Sequence, residues 1–117
     1  MSRDEPEVMA ARRTIFEAAQ DMLAGRLSYI EGARKICPAR FAWGLDEWDS
    51  DLVPFVGIDS ETDALPFGEM RSHWLASALK ALEPEKAQKE AWARNVGDPH
   101  CRSLVGRFSN GRIELLL

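Results

Sequence analysis

The stretch SYIEGARKIC, from Ser28 to Cys37, contains both a helix start and a helix face. Ser28 stands three residues before Glu31, the spacing of a capping box, in which the two side chains satisfy free groups of the first turn. The apolar residues that follow recur at the 3.6-residue spacing of one helical face. They are Tyr29, Ile30, Ala33, Ile36 and Cys37. The pattern predicts an amphipathic helix that ends at Pro38.

A further helix is expected before this one, over residues 5–24. Its apolar residues also share one face; they are Val8, Ala11, Ile15, Ala18, Ala19 and Met22. Pro6 suits a first turn and Gly25 suits a helix end. The short linker to Ser28 predicts an antiparallel hairpin of the two helices. Arg12 and Arg13 lie off the apolar face and are expected to be solvated.

Prolines divide the second half of the chain into three expected helices. The first begins near Pro66 and is broken or kinked at Pro84, because a proline removes a backbone donor and clashes with the preceding turn. The next covers residues 83–97 and closes at Gly97. The last begins with Asp98 as its N-cap and Pro99 in its first turn.

The stretch SNGRIELLL, residues 109–117, has two interpretations. Asn110-Gly111 can close a helix in the left-handed conformation. The same dipeptide is a strong hairpin signal, which would pair residues 104–108 with residues 112–116. We favour the helix, with the hairpin as the alternative. In either case the apolar residues 113–117 need cover from the core or from a second subunit, so a homodimer is one expected assembly.

The segment between the second and third long helices is acidic and rich in turn residues, and it also contains Phe41, Trp43 and Trp48. A disordered linker would lack such aromatic residues. We therefore expect an ordered segment with one short helix over about residues 51–58, which tolerates Pro54 in its first turn. The predicted fold is an all-α, single-domain bundle of about five helices, covering residues 1–117.

Charge is distributed unevenly along the chain, whose net charge is -4. From Phe41 to Met70 there are eight acidic residues and neither lysine nor arginine, whereas the flanking parts are near neutral or slightly basic. This distribution argues against nucleic-acid binding, which uses basic surfaces. It favours a basic protein partner, an internal network of ion pairs, or a cation.

The sequence also predicts a compartment. The first residues, MSRDEPEV, carry charge and no apolar run, so no signal peptide is expected. No stretch approaches the roughly 18 consecutive apolar residues of a membrane span. We expect a cytoplasmic chain without a membrane partner. Cys37 and Cys101 are then expected to be buried thiols rather than a disulfide.

The sequence contains no complete motif for binding a metal or a cofactor. Asp59, Glu61 and Asp63 match the first ligands of an EF-hand loop, but Ala64 and Met70 occupy the positions that require glycine and glutamate. The histidines and cysteines lack zinc-ligand spacing, and no phosphate-binding glycine loop or G-x-S-x-G nucleophile motif occurs. We predict no metal and no cofactor.

The acidic residues before the helix predicted at Pro66 have two interpretations. In the first, Asp59, Asp63 and Arg71 form a structural brace that holds the loop on the helix N-terminus, where carboxylates are favoured. In the second, the chain is an enzyme that uses Asp59, Glu61 or His73 on a small substrate. The second predicts a pocket with perturbed carboxylates near Arg71 and Trp74.

The acidic segment is also a candidate docking face. Tryptophan is enriched at binding hot spots, and complementary charge speeds association. The predicted binding residues are Asp46, Glu47, Trp48, Asp49, Asp51 and Glu61. The alternative is that the tryptophans belong to the core and the acids form a solvated rim.

The runs IEGARKI and FVGIDSETDALPFGEMRSHW resemble small helical bacterial proteins of unassigned function and, more loosely, immunity proteins that accompany bacterial toxins. The resemblance covers residues 28–108. It implies a small, acidic, cytoplasmic, non-enzymatic protein that caps the basic active site of a toxin. A structural subunit of an oligomer is the remaining alternative.

Overall fold

The computed structural model describes residues 5–41 and 48–108. These residues form α1 (Glu5–Leu23), α2 (Tyr29–Ala39), α3 (Val53–Thr62), a 3-10 helix (Gly68–His73) and α4 (Ala76–Phe108). The all-α class is confirmed for this part of the chain. It contains four α-helices where about five were expected. The breaks predicted at Pro84 and at Gly97 do not occur, so segments expected as separate helices form one helix, α4. None of the described helices is both long enough and apolar enough to span a membrane.

The predicted hairpin of α1 and α2 is confirmed. Gly25 has a φ of +80°, a left-handed conformation that favours glycine. The Arg26 amide donates to the Asp21 carbonyl at 2.8 Å and the Gly25 amide to the Met22 carbonyl at 3.2 Å. These two bonds form a Schellman motif, which ends α1 and turns the chain toward α2.

The start of α2 is capped twice. The Glu31 amide donates to Ser28 Oγ at 3.0 Å, which is one of the two predicted capping bonds. The Glu31 carboxylate accepts from the Ser28 hydroxyl at 3.2 Å, where a bond from the Ser28 amide was expected. From α4, the Glu90 carboxylate accepts from the Tyr29 amide at 2.7 Å and from the Ile30 amide at 3.2 Å. The first backbone amides of α2, which have no partner within their own helix, therefore anchor α2 to the middle of α4.

Helix α4 corrects the boundaries predicted at Pro84, Gly97 and Pro99, because it runs through all three. Each proline removes one bond to the carbonyl four residues earlier. Those carbonyls belong to Lys80 and Asn95, and both residues, like the two prolines, are exposed. Water can satisfy the freed carbonyls, so the helix continues. Residues 104–108 are helical, which excludes their use as a hairpin strand.

Gly97 has a packing role instead of ending a helix. It is buried inside α4, where an added Cβ would lie 3.0 Å from the Tyr29 ring and 3.2 Å from the Phe55 ring. The absence of a side chain lets α2 and α3 approach α4 here. The prediction of a helix end at Gly97 was wrong because close packing explains the glycine.

The helix predicted from Pro66 does not form as one element. The chain makes the 3-10 helix, and then Trp74 adopts an extended conformation, with φ of -112° and ψ of 144°, before α4 begins at Ala76. Helix α3 begins and ends later than expected, with Pro54 in its first turn as predicted. Asp59 and Glu61 therefore lie on a helix rather than in a loop.

The core is formed by α1, α2, α3 and the C-terminal half of α4. The buried apolar side chains include Ile15, Met22, Ile30, Ile36, Leu52, Phe55, Ile58 and Leu104. Arg12, which was expected to be solvated, is only 6% exposed, whereas Arg13 is exposed as predicted. The molecule is 52 Å long, close to the roughly 50 Å of a 33-residue helix, so α4 defines its long axis.

Candidate functional site

Two acids of the predicted docking face bind an arginine of the same chain. Arg107, in the last turn of α4, contacts Asp49 through two bonds, Nη2 to Oδ2 at 2.6 Å and Nη1 to Oδ1 at 2.9 Å. Its Nη1 also lies 2.6 Å from Asp51 Oδ2. The side chains of Asp49 and Asp51 are only 8% and 13% exposed. This geometry joins the segment before α3 to the end of α4.

Asp51 has further partners on α4. The Ser103 hydroxyl donates to Asp51 Oδ2 at 2.6 Å, and His100 Nδ1 lies 2.9 Å from Asp51 Oδ1. Burial alone would raise the pKa of Asp51, but the bonds from Ser103, His100 and Arg107 together lower it. The carboxylate is thus ionised and fully engaged at neutral pH. Its contacts to Ser103 and His100 do not form a nucleophile–base pair, because the carboxylate lies between them.

The predicted binding residues therefore separate into three groups. Asp49 and Asp51 are committed to Arg107. Trp48 is 72% exposed and the Glu61 side chain is 63% exposed, so both lie on the surface. Asp46 and Glu47 lie outside the described residues. The alternative that the tryptophans belong to the core is wrong for Trp48, and Trp43 lies outside the described residues.

Of the three residues proposed as a brace, Asp59, Asp63 and Arg71, only Asp59 lies beside a cation, and that cation is Arg34. Asp59 Oδ1 lies 3.9 Å from Arg34 Nε, while Asp63 and Arg71 are both exposed. Arg34 comes from α2, and its guanidinium also donates to the Thr62 and Leu65 carbonyls at the end of α3. The cation that holds the end of α3 is thus Arg34. Sequence reasoning missed it because the contact joins two helices.

Beside this point Lys89 of α4 contacts Glu61. Its Nζ lies 3.8 Å from the carboxylate and 3.2 Å from the Glu61 carbonyl. An open cavity of about 350 Å³ next to this pair is lined by Glu61, Gln88, Lys89 and Trp92. Neither this cavity nor a second one beside Phe67 is lined by Arg71 or Trp74. The described cavities thus lie away from the pocket that the enzyme hypothesis predicted.

Both thiols are buried, as predicted. Burial is the main cause that raises the pKa of Cys37 to about 11 and that of Cys101 to about 12. Both are therefore protonated at neutral pH and poor nucleophiles. Among the described residues, no group of three or more His, Cys, Asp or Glu is arranged to hold a metal ion.

The other feature of the surface is the N-terminal half of α4. None of residues 76–92 is buried, and we call this half of the helix the arm. Leu75, which immediately precedes it, is 77% exposed, and Met70 and Trp74 in the preceding turn are 44% and 38% exposed. Leu75, Ala78, Leu79 and Leu82 follow one helical face, which we call the apolar stripe. Sequence analysis predicted a helix over these residues but did not single out this face.

Charges on the arm are of both signs. Lys86 lies over the Phe67 ring, 4.2 Å from its centroid, and Lys89 and Glu90 contact the rest of the molecule as described above. These three residues belong to the part of the arm nearest the core. Lys80, Glu83 and Glu85, further toward the N-terminus, are exposed.

Comparison with protein-family models, with curated proteins and with solved structures finds no match to this chain.

Proposed function

We propose that this chain is a non-enzymatic protein-binding module and that the arm, with its apolar stripe, is the binding surface. The observation that carries this proposal is the absence of any buried residue in residues 76–92, a helical length of about 25 Å. Most helical stability in proteins comes from packing of an apolar face, and no residue along this length is buried. A partner would supply that packing.

The stripe has the spacing that helices use to bind other proteins. Leu75, Ala78, Leu79 and Leu82 stand at positions i, i+3, i+4 and i+7, the anchors of a helix that packs on an apolar surface. Met70 and Trp74 extend the exposed apolar area beyond the helix start. Leu75 is exposed and Ala78, Leu79 and Leu82 are half-buried, and apolar side chains that stay accessible together mark interaction sites.

An acidic docking face for a basic partner, such as the toxin of a toxin–immunity pair, is the second proposal. It is supported by the exposure of Trp48 and by the exposed carboxylates of Glu61 and Asp63. It does not use Asp49 and Asp51, since these neutralise Arg107. The proposal therefore depends on fewer acids than the sequence suggested.

The enzyme alternative receives less support from the geometry. Asp59 lies beside Arg34 and Glu61 beside Lys89, while His73 is exposed on the 3-10 helix. These groups do not converge on either described cavity in the arrangement that acid–base catalysis requires.

The test is capture of a protein partner on the immobilised chain from a lysate of its source cells. We expect the wild-type chain to retain a discrete protein that the double variant Leu75→Glu/Leu79→Glu loses, because glutamate removes the apolar anchors. Met9→Glu, an exposed apolar position on α1, is the matched control and should retain it. Equal retention by the wild type and the double variant would exclude the arm.

The two proposals separate in the same experiment. Glu61→Arg/Asp63→Arg reverses two exposed acids and leaves the four residues of the apolar stripe unchanged, although Glu61 contacts Lys89 of the arm. Loss of the captured protein in this variant, with retention by Leu75→Glu/Leu79→Glu, would support the acidic face instead. A partner that is lost at moderate salt would agree with that outcome, since exposed charge pairs are screened.

A further inference from the structure

We infer that the partner of the arm is a second copy of this chain, paired antiparallel through the two apolar stripes. The inference rests on the proposed function, because it takes the arm to be the binding surface and specifies what binds there. It is carried by two properties of the arm, the symmetry of the stripe and the order of its charges.

The apolar stripe is nearly symmetric about its own midpoint. A two-fold axis between Ala78 and Leu79 places Leu75 of one copy opposite Leu82 of the other, and Ala78 opposite Leu79. A homodimer with two-fold symmetry requires such a self-complementary patch. Each residue of one copy contacts a given residue of the other copy, and the same contact occurs again with the two copies exchanged. Large residues at the ends and a small residue at the centre also let the helices approach closely.

Charges along the same surface are complementary in the antiparallel arrangement. Arg71 lies before the stripe, and Glu83 and Glu85 follow it. Rotation about the axis brings the end that carries Arg71 in one copy to the end that carries both glutamates in the other. Lys86 also lies at that end and keeps its charge over the Phe67 ring of its own chain, so Glu83, Glu85 and Lys86 together give that end a net charge of -1. Pairing therefore brings two ends of opposite net charge together twice in each dimer.

The balance of charge further favours a second copy over a strongly charged partner. Between residues 70 and 92 the bases are Arg71, Lys80, Lys86 and Lys89, and the acids are Glu83, Glu85 and Glu90. This near-neutral surface contrasts with the acidic segment that precedes it. Two copies can therefore meet here without a large net charge repulsion, whereas a basic or acidic partner gains little from this surface.

Sedimentation equilibrium tests the inference. We expect the wild-type chain to have about twice the mass of 13.1 kDa, and Leu75→Glu/Leu82→Glu to weaken the dimer by roughly 100-fold, because each buried glutamate lacks a counter-charge. Met9→Glu should leave the dimer unchanged. The helical circular dichroism of each variant confirms that it is folded.

Cross-linking of single cysteines tests the orientation. Ala78→Cys lies beside the expected axis, so a short bifunctional thiol reagent should join it to its counterpart. Ala91→Cys is exposed on the same helix, but in an antiparallel pair its counterpart lies about 37 Å away, at about 1.5 Å per residue. It should therefore not cross-link. The native cysteines are buried and should not compete. Cross-linking at both positions would overturn the antiparallel arrangement.

Other occupants of the stripe give different results. A wild-type chain that remains monomeric at all concentrations overturns the self-association, while capture of another protein by the arm would leave the proposed function intact. If the variant without residues 113–117 dissociates and Leu75→Glu/Leu82→Glu does not, the C-terminal residues form the dimer contact and the inference is wrong. Failure of both self-association and arm-dependent capture would reject the proposed function as well.

Discussion

Arg107 places one guanidinium between the carboxylates of Asp49 and Asp51, both of which are largely shielded from solvent. Its hydrogen bonds to the two aspartates raise the pKa of the guanidinium further, against the effect of burial. Sequence analysis identified the aspartates as unusual because no base occurs near them in the chain. It could not find their partner, since Arg107 is more than fifty residues away and nothing in its local sequence distinguishes it from an exposed arginine.

Loss of Arg107 should be strongly destabilising. Arg107→Met leaves two buried carboxylates without their shared cation, and we expect a loss of about 3 kcal/mol in the free energy of unfolding. Arg102→Met is the matched control on the same helix. Its pair with Asp98 is exposed, so its removal should cost less than about 1 kcal/mol. Urea denaturation of both variants measures the difference, and equal losses would contradict the role given to Arg107.

The lowered pKa of Asp51 predicts a pH dependence of stability. A carboxylate whose pKa is lower in the fold than in the unfolded chain stabilises the fold above the unfolded value, about 3.9. That contribution is lost as the pH falls through the folded value, so stability should decrease below about pH 4. The Asp51→Asn variant should be less stable at neutral pH and should lose less on acidification.

The control for this experiment is Asp63→Asn, an exposed carboxylate at the end of α3. It should follow the wild-type curve when the free energy of unfolding is measured against pH. Part of the acid dependence should remain in Asp51→Asn, because the hydrogen bond from Arg102 lowers the pKa of Asp98 as well. An Asp51→Asn curve parallel to the wild-type curve would show that Asp51 is not a source of the dependence.

The sequence predicted helix starts and ends well where the capping residue and the backbone group that it satisfies lie in the same turn. The Ser28 cap and the helix end at Gly25 are of this kind, and the short linker between them predicted the hairpin of α1 and α2. The predictions of helix ends at the prolines of α4 were wrong because the effect of a proline depends on whether the carbonyl four residues earlier reaches water. The sequence does not show this exposure. An exposed proline leaves a carbonyl that water can satisfy, and the helix continues.

Two helical glycines should respond in opposite directions to the same substitution. An added Cβ at Gly32 would lie 2.8 Å from Met22 Cγ and closer still to its sulfur, at the contact of α2 with α1. An added Cβ at Gly57 in α3 meets nothing within 4 Å. Gly32→Ala should therefore lower the free energy of unfolding by about 1 kcal/mol, since overpacking exceeds the gain in helix propensity.

Gly57→Ala should instead raise the free energy of unfolding by up to about 1 kcal/mol, the difference in helix propensity between the two residues. Thermal denaturation of the two variants under identical conditions compares the signs directly. A stabilised Gly32→Ala protein would show that Met22 moves aside without cost and that the close approach of α1 and α2 is not required.

The whole molecule has its core at one end of its longest helix. Buried residues of α4 begin at Ala93, and the other half of the helix extends along the 52 Å axis with its apolar stripe half-buried or exposed. The spacing of Leu75, Leu79 and Leu82 is present in the sequence, but periodicity identifies an apolar face without identifying what covers it. The bundle core does not bury this face, because the other helices pack on the second half of α4.

Hydrogen exchange along α4, measured as a function of protein concentration, tests most directly whether the arm is covered by another copy. We predict that the amides of residues 80–91 exchange rapidly in dilute protein and become protected as concentration rises, while those of residues 97–107 stay protected throughout. Leu75→Glu/Leu82→Glu should abolish the concentration dependence. Protection of residues 80–91 that is equal at the lowest and highest concentrations would contradict self-association through the arm.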